Sequence, residues 1–154
     1  MTARKAIAAA LLTQLTSGGL FANGGRRDRK PEQAAAPGKP ALYLLKPREE
    51  YKYDADDRGV PPVRDLYFVA VIYTDVGTDA KQVPADVIDD LVDAIDTALA
   101  PAINDQLTNG GRQTLGGLVY DCRVEGELDF APGDLVQGKG ETSIPIHVVL
   151  KSYP

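Results

Sequence analysis

Tryptophan is absent from this sequence, and cysteine, histidine and methionine occur once each among 154 residues. The lone cysteine, Cys122, excludes an internal disulfide and suits a reducing cytosol. The lone histidine, His147, excludes metal sites built from several imidazoles and leaves one imidazole as a candidate base. Without tryptophan and with three phenylalanines, the core must be mainly aliphatic. No apolar run approaches the length of a membrane-spanning helix. An excess of cations is missing too. Seventeen basic against 22 acidic residues give a net charge of −5, which argues against a dedicated nucleic-acid binder. The spacings Cys-x-x-Cys, His-Glu-x-x-His and Gly-x-Ser-x-Gly do not occur, and the glycine pairs at 18–19, 24–25, 110–111 and 116–117 lack phosphate-loop spacing.

What is present is organised around two neighbouring stretches. Asp65–Tyr73 (DLYFVAVIY) is apolar on both alternating sets, Leu66, Phe68, Ala70 and Ile72 on one side and Tyr67, Val69, Val71 and Tyr73 on the other. Such a strand is expected at the centre of a sheet, covered on both faces. Pro84–Leu99 is amphipathic at the helical period: Val87, Ile88, Leu91, Val92, Ala94, Ile95, Ala98 and Leu99 share one arc. Asp86, Asp89, Asp90, Asp93 and Asp96 occupy the opposite arc, where a solvated face is expected rather than a metal site. Proline suits the first helical turn, Asp86 complements its dipole, and Pro101 ends the helix.

The remaining chain fills in around these two. An N-terminal helix is expected over Thr2–Ser17, stopped by Gly18-Gly19; its apolar run is too short and too interrupted to be read as a secretion signal. Asn23–Lys39 is basic, then alanine-rich, and reads as a mobile loop within about 20–40. Its Arg26, Arg27, Arg29 and Lys30 offer charge to an acidic partner or simply keep the loop solvated. Ala41–Leu45 reads as a short strand closed by Pro47. A second surplus connection, 46–62, follows, in which Tyr51 and Tyr53 alternate with charge as in an edge hairpin. Asp54, Asp56 and Asp57 crowd that connection without the glutamate of an EF-hand loop, so no calcium site is assigned.

Leu118, Tyr120, Cys122 and Val124 alternate with Val119, Asp121, Arg123 and Glu125 as a half-buried strand, which makes Cys122 a packed thiol. Glu127–Gly140 reads as a loop. In Ser143–Lys151, Ile144, Ile146, Val148 and Leu150 alternate with Pro145, His147, Val149 and Lys151; Pro145 predicts an edge strand or a bulge near its start, and His147 a surface or interface position. The fold class expected is α+β: a single domain over 1–154 with one mixed, mainly antiparallel sheet and two helices. No catalytic residue, metal ligand or cofactor-binding residue is assigned.

Gln113–Glu127 (QTLGGLVYDCRVEGE), preceded by Asp90–Pro101 (DLVDAIDTALAP), resembles the small minor tail and tail terminator proteins of long-tailed phages. The opening ARKAIAAALLTQL and the Leu66–Tyr73 strand are similar as well. The resemblance implies a virion protein, assembled in the host cytoplasm, that forms a hexameric ring on the head-proximal end of the tail tube. The ring stops tube growth and joins the tail to neck or head-completion proteins. Its partners would be copies of itself, the tail tube protein and the neck protein; DNA would pass through the lumen unbound, with no membrane involved and no cofactor. Candidate assembly residues are basic Arg26, Arg27, Arg29 and Lys30, acidic Asp89, Asp93 and Asp96, and the tyrosines Tyr51 and Tyr53. Two alternatives stand beside this: another head–tail joint or tube subunit, and a small cytosolic enzyme, favoured by a deep pocket enclosing Asp121, Arg123 and His147.

Overall fold

The structure, a computed structural model, describes residues 4–26, 39–52, 63–75, 77, 83–101, 110–131 and 139–151. In chain order the elements are α1 (Arg4–Leu15), β1 (Asn23–Gly25), β2 (Ala41–Lys52), β3 (Val63–Asp75), α2 (Pro84–Ala98), β4 (Asp121–Val124), β5 (Asp129–Ala131) and β6 (Lys139–Leu150). Six strands form one sheet in the order β1-β2-β3-β6-β4, with β5 also paired to β6. The β1–β2 pair is parallel, and every other pair is antiparallel. This is the α+β class expected from the sequence.

β3 is the middle strand, paired to β2 on one side and along its length to β6 on the other. Leu66, Phe68, Ala70 and Ile72 are buried in one core with Ile7, Ala8, Leu11 and Leu15 of α1 and Leu91 and Ile95 of α2. Burying a side chain the size of Phe68 contributes roughly 2–3 kcal/mol, so this layer dominates the folding energy. Both helices therefore lie on one face. The other set of β3 packs sideways instead: Val71 and Tyr73 form a second cluster with Ala41 and Tyr43 of β2. α2 begins with proline in its first turn and Asp86 beside the dipole's positive end, and its last carbonyls accept from Leu99 and Ala100.

Four local expectations are corrected. First, Pro47 does not close β2, which runs on to Lys52, so the connection expected from residue 46 begins later. The register slips between Leu45 and Arg48, a bulge that places Lys46 and Pro47 opposite Phe68 alone and needs no donor from proline. The extra residue reverses the faces. Arg48, Glu50 and Lys52 join the side of Tyr43, while Glu49 and Tyr51 turn towards α1, where Arg4 donates to both. Second, the stretch expected as a loop near 20–40 holds β1. Its Gly24 is required by close approach, since a Cβ there would lie 2.7 Å from the Leu42 carbonyl oxygen.

Third, the strand expected from Leu118 starts only at Asp121. Gly116 and Gly117 adopt positive φ, and the amides of Gly117 and Val119 both donate to the Thr114 carbonyl. That turn buries Val119 in place of Leu118. Fourth, Pro145 lies on no edge, and 127–140 is not all loop: β5 occupies part of it, and β6 pairs with β3 on one side and with β4 and β5 on the other. The Pro145 carbonyl accepts from Glu125 on the β4 side. A strand residue's nitrogen points to the same side as its oxygen, so the missing donor falls where the β4 and β5 ladders break, at Gly126.

Candidate functional site

The register aligns one row of side chains across four strands on the face opposite the helices. Arg48 of β2 stands beside Tyr67 of β3, Tyr67 beside His147 of β6, and His147 beside Arg123 of β4. The neighbouring row carries Glu50, Asp65, Val149 and Asp121. The Tyr67 ring stacks on His147 with centroids 4.9 Å apart and planes 9° from parallel, and the Arg48 guanidinium lies 4.0 Å from the Tyr67 centroid.

His147 is only 8% exposed, against the surface position expected for it. Stacking covers one ring face, and carboxylates flank both nitrogens. Nε2 is 2.8 Å from Asp65 Oδ1, a hydrogen bond. Nδ1 is 2.6 Å from Glu125 Oε2, an ion-pair distance without hydrogen-bond geometry. Lys52 Nζ meets the second Asp65 oxygen at 2.7 Å, and Arg123 spans Asp121 at 3.1 Å and Glu125 at 3.2 Å. Burial pushes the Asp65 carboxyl up, but the hydrogen bonds and charges of Lys52 and His147 outweigh it and hold the group below its ordinary range. The hydrogen bond and charge of Asp65 raise Lys52 in turn. Asp121, Arg123 and His147 thus meet on one face, with Nε2 hydrogen-bonded to Asp65 and Nδ1 beside Glu125, and the chemistry this arrangement offers is a clamp holding β2, β3, β6 and β4 in register.

The other reactive group is equally committed. Cys122 is 2% exposed in the helical core, and burial, helped by the Asp121 charge, pushes its thiol up to about 12. Among the described residues no group of three or more histidine, cysteine, aspartate or glutamate side chains is placed to hold a metal ion, and no helix is long and apolar enough to cross a membrane. A groove of about 670 Å³ opens elsewhere, between the ends of α1 and α2 and the turn near Gly116. Its two glutamines serve the fold: Gln14 donates to the Ala98 carbonyl, and Gln113 donates to that of Ala100 while accepting from the Leu115 amide.

Of the candidate assembly residues, Arg26 is exposed just after β1, and Asp89, Asp93 and Asp96 are exposed on α2 together with Asp86 and Asp90. No ion pair joins any of these aspartates to a described residue. Tyr51 is 48% exposed beside Arg4. Arg27, Arg29, Lys30 and Tyr53 lie outside the described residues. The sequence does not reveal the clamp around His147 as a unit. Its sequence signal was the shared alternation of Asp65 with Tyr67 and of Pro145 with His147, but only the register brings them together. A further cluster has no signal in the sequence: Arg112 and Lys151 both approach the Tyr120 ring, at 4.1 Å and 3.6 Å from its centroid. No protein-family model matches the chain, and no curated protein matches it either.

Proposed function

We propose that this chain is a structural subunit of a phage tail, a tail terminator whose copies form a ring on the head-proximal end of the tail tube. The ring halts polymerisation and presents a surface to the neck or head-completion proteins, and DNA passes through its lumen without specific contacts. The observation that carries this reading is a sheet with two unlike free edges. Among the described residues, β2 has no outer partner from Leu44 to Lys52, and neither β4 nor β5 has a strand beyond it. A closed ring uses a heterologous interface in which one patch meets a different patch on the next copy, and two different strand edges supply such a pair. The order of helix, strand and glycine turn over 90–127 supports the same reading through its resemblance to tail terminators.

Deleting the gene tests it. A terminator must bind a growing tube end more tightly than another tube ring does, and its outer face must fail to template more tube protein. Loss is therefore expected to leave filled heads without tails, alongside free tubes of irregular and excessive length. Tails of normal length already joined to heads would overturn the assignment.

A further inference from the structure

We infer that the Arg112–Tyr120–Lys151 cluster of one copy receives the aspartate stripe of α2 from the next copy, an inference that rests on the ring reading and names the contact that closes it. Arg112 Cζ lies 4.1 Å and Lys151 Nζ 3.6 Å from the same Tyr120 centroid, and Arg112 Nη1 donates to the Tyr120 hydroxyl at 3.1 Å. Two cations that close to one ring are no more than about 8 Å apart and repel each other. No described carboxylate pairs with either, although the other half of the β4 region does the opposite: Arg123 is bonded to both Asp121 and Glu125. The ring face holds the pair in place by cation–π attraction, and no described carboxylate compensates its charge. An anion with more than one negative group fits there.

The same molecule carries the complementary feature. Asp86, Asp89, Asp90, Asp93 and Asp96 lie along the side of α2 turned away from the sheet, each with another aspartate three or four residues away, and all are exposed. Like charges at that spacing destabilise a helix by a few tenths of a kcal/mol per pair, and no described cation relieves them. Two self-repelling patches of opposite sign thus sit on different elements of one chain. A head-to-tail contact between copies relieves both at once, whereas laying either patch against its own copy relieves neither.

Charge swapping tests this on the purified full chain. Both patches are exposed or half-exposed, so D89K/D93K and R112E/K151E should keep the wild-type melting temperature. Each is expected to weaken self-association by about tenfold or more, measured by light scattering at about 0.05 M salt, and wild-type assembly should weaken as salt rises. The quadruple variant, with the charges at positions 89 and 93 exchanged against those at 112 and 151, should assemble again. An equimolar mixture of the two double variants should also assemble, since unlike copies can alternate around an even-numbered ring. Assembly of either double variant at wild-type strength, or a quadruple variant no better than its parents, overturns the contact while leaving the terminator reading to the deletion experiment. A wild-type chain that stays monomeric at all concentrations, or an R112E/K151E variant that loses only affinity for a DNA duplex, overturns it as well.

Discussion

Replacing Asp65 by alanine removes the centre of the clamp. The carboxylate is 3% exposed and is shared between His147 Nε2 at 2.8 Å and Lys52 Nζ at 2.7 Å. Its loss leaves a buried imidazole nitrogen without its partner, which costs about 1–3 kcal/mol, whereas the Lys52 ammonium is more than half exposed and returns to water at little cost. The expected loss is about 1–3 kcal/mol at neutral pH, or roughly 2–12 °C in melting temperature for a chain of this size. Asp65→Asn keeps the shape and should cost less. The sign of the pH dependence follows from the depressed carboxyl. A group held below its ordinary value of 3.8 adds stability that is fully present above that pH and is lost as pH falls through its lower folded value. Thermal melts followed by circular dichroism should therefore show a wild-type advantage over Asp65→Ala that is present above about pH 5 and shrinks below about pH 4. An unchanged melting temperature at pH 7, or a gap that persists undiminished in strong acid, would refute the clamp.

Val71→Asp and Leu91→Asp each put an unpaired charge into a site 5% exposed, on the two different apolar clusters. Each should unfold the chain, because several kcal/mol are lost from a total of roughly 5–15, and a cooperative melt at the wild-type temperature would contradict the burial of that face. Cys122 should resist a thiol reagent at pH 8 until the protein is unfolded, given a thiol pushed up to about 12; rapid labelling of native protein would contradict its packing. Gly126→Ala forces a side chain onto φ +121° and places its Cβ 3.1 Å from Pro145 Cγ, so it should cost about 1–3 kcal/mol. Adding Pro145→Ala should recover only part of that loss, because the backbone strain remains.

The parts of the fold that were legible share one property: their signal is repeated along the chain. The two-sided alternation of Leu66–Tyr73 and the helical period from Val87 to Leu99 each average over several turns or pleats; the helix is placed within one residue, and the central strand extends two residues beyond the Asp65–Tyr73 expectation at each end. The misreadings lie where a single residue decides the outcome. Pro47 is compatible with a stop or a bulge, and the bulge is stabilised by pairing to the following strand, β3, which no local pattern around Pro47 reports. Pro145 is compatible with an edge, yet the ladder beside it breaks at Gly126 instead. The clamp was half visible. Alternation placed His147 away from the apolar set, but the stacking of Tyr67 and the approach of Asp65 depend on the cross-strand register, for which a single strand carries no information. The Arg112–Tyr120–Lys151 cluster joins a turn to the end of β6 and has no local pattern at all.

The measurement that bears most directly on the terminator assignment is electron microscopy of uncapped tail tubes incubated with the purified chain. The account predicts density at one end of each tube, a ring that stays bound there, and no further growth of that end when tube protein is added. Decoration along the tube sides, binding at neither end, or continued elongation through the bound ring would contradict it.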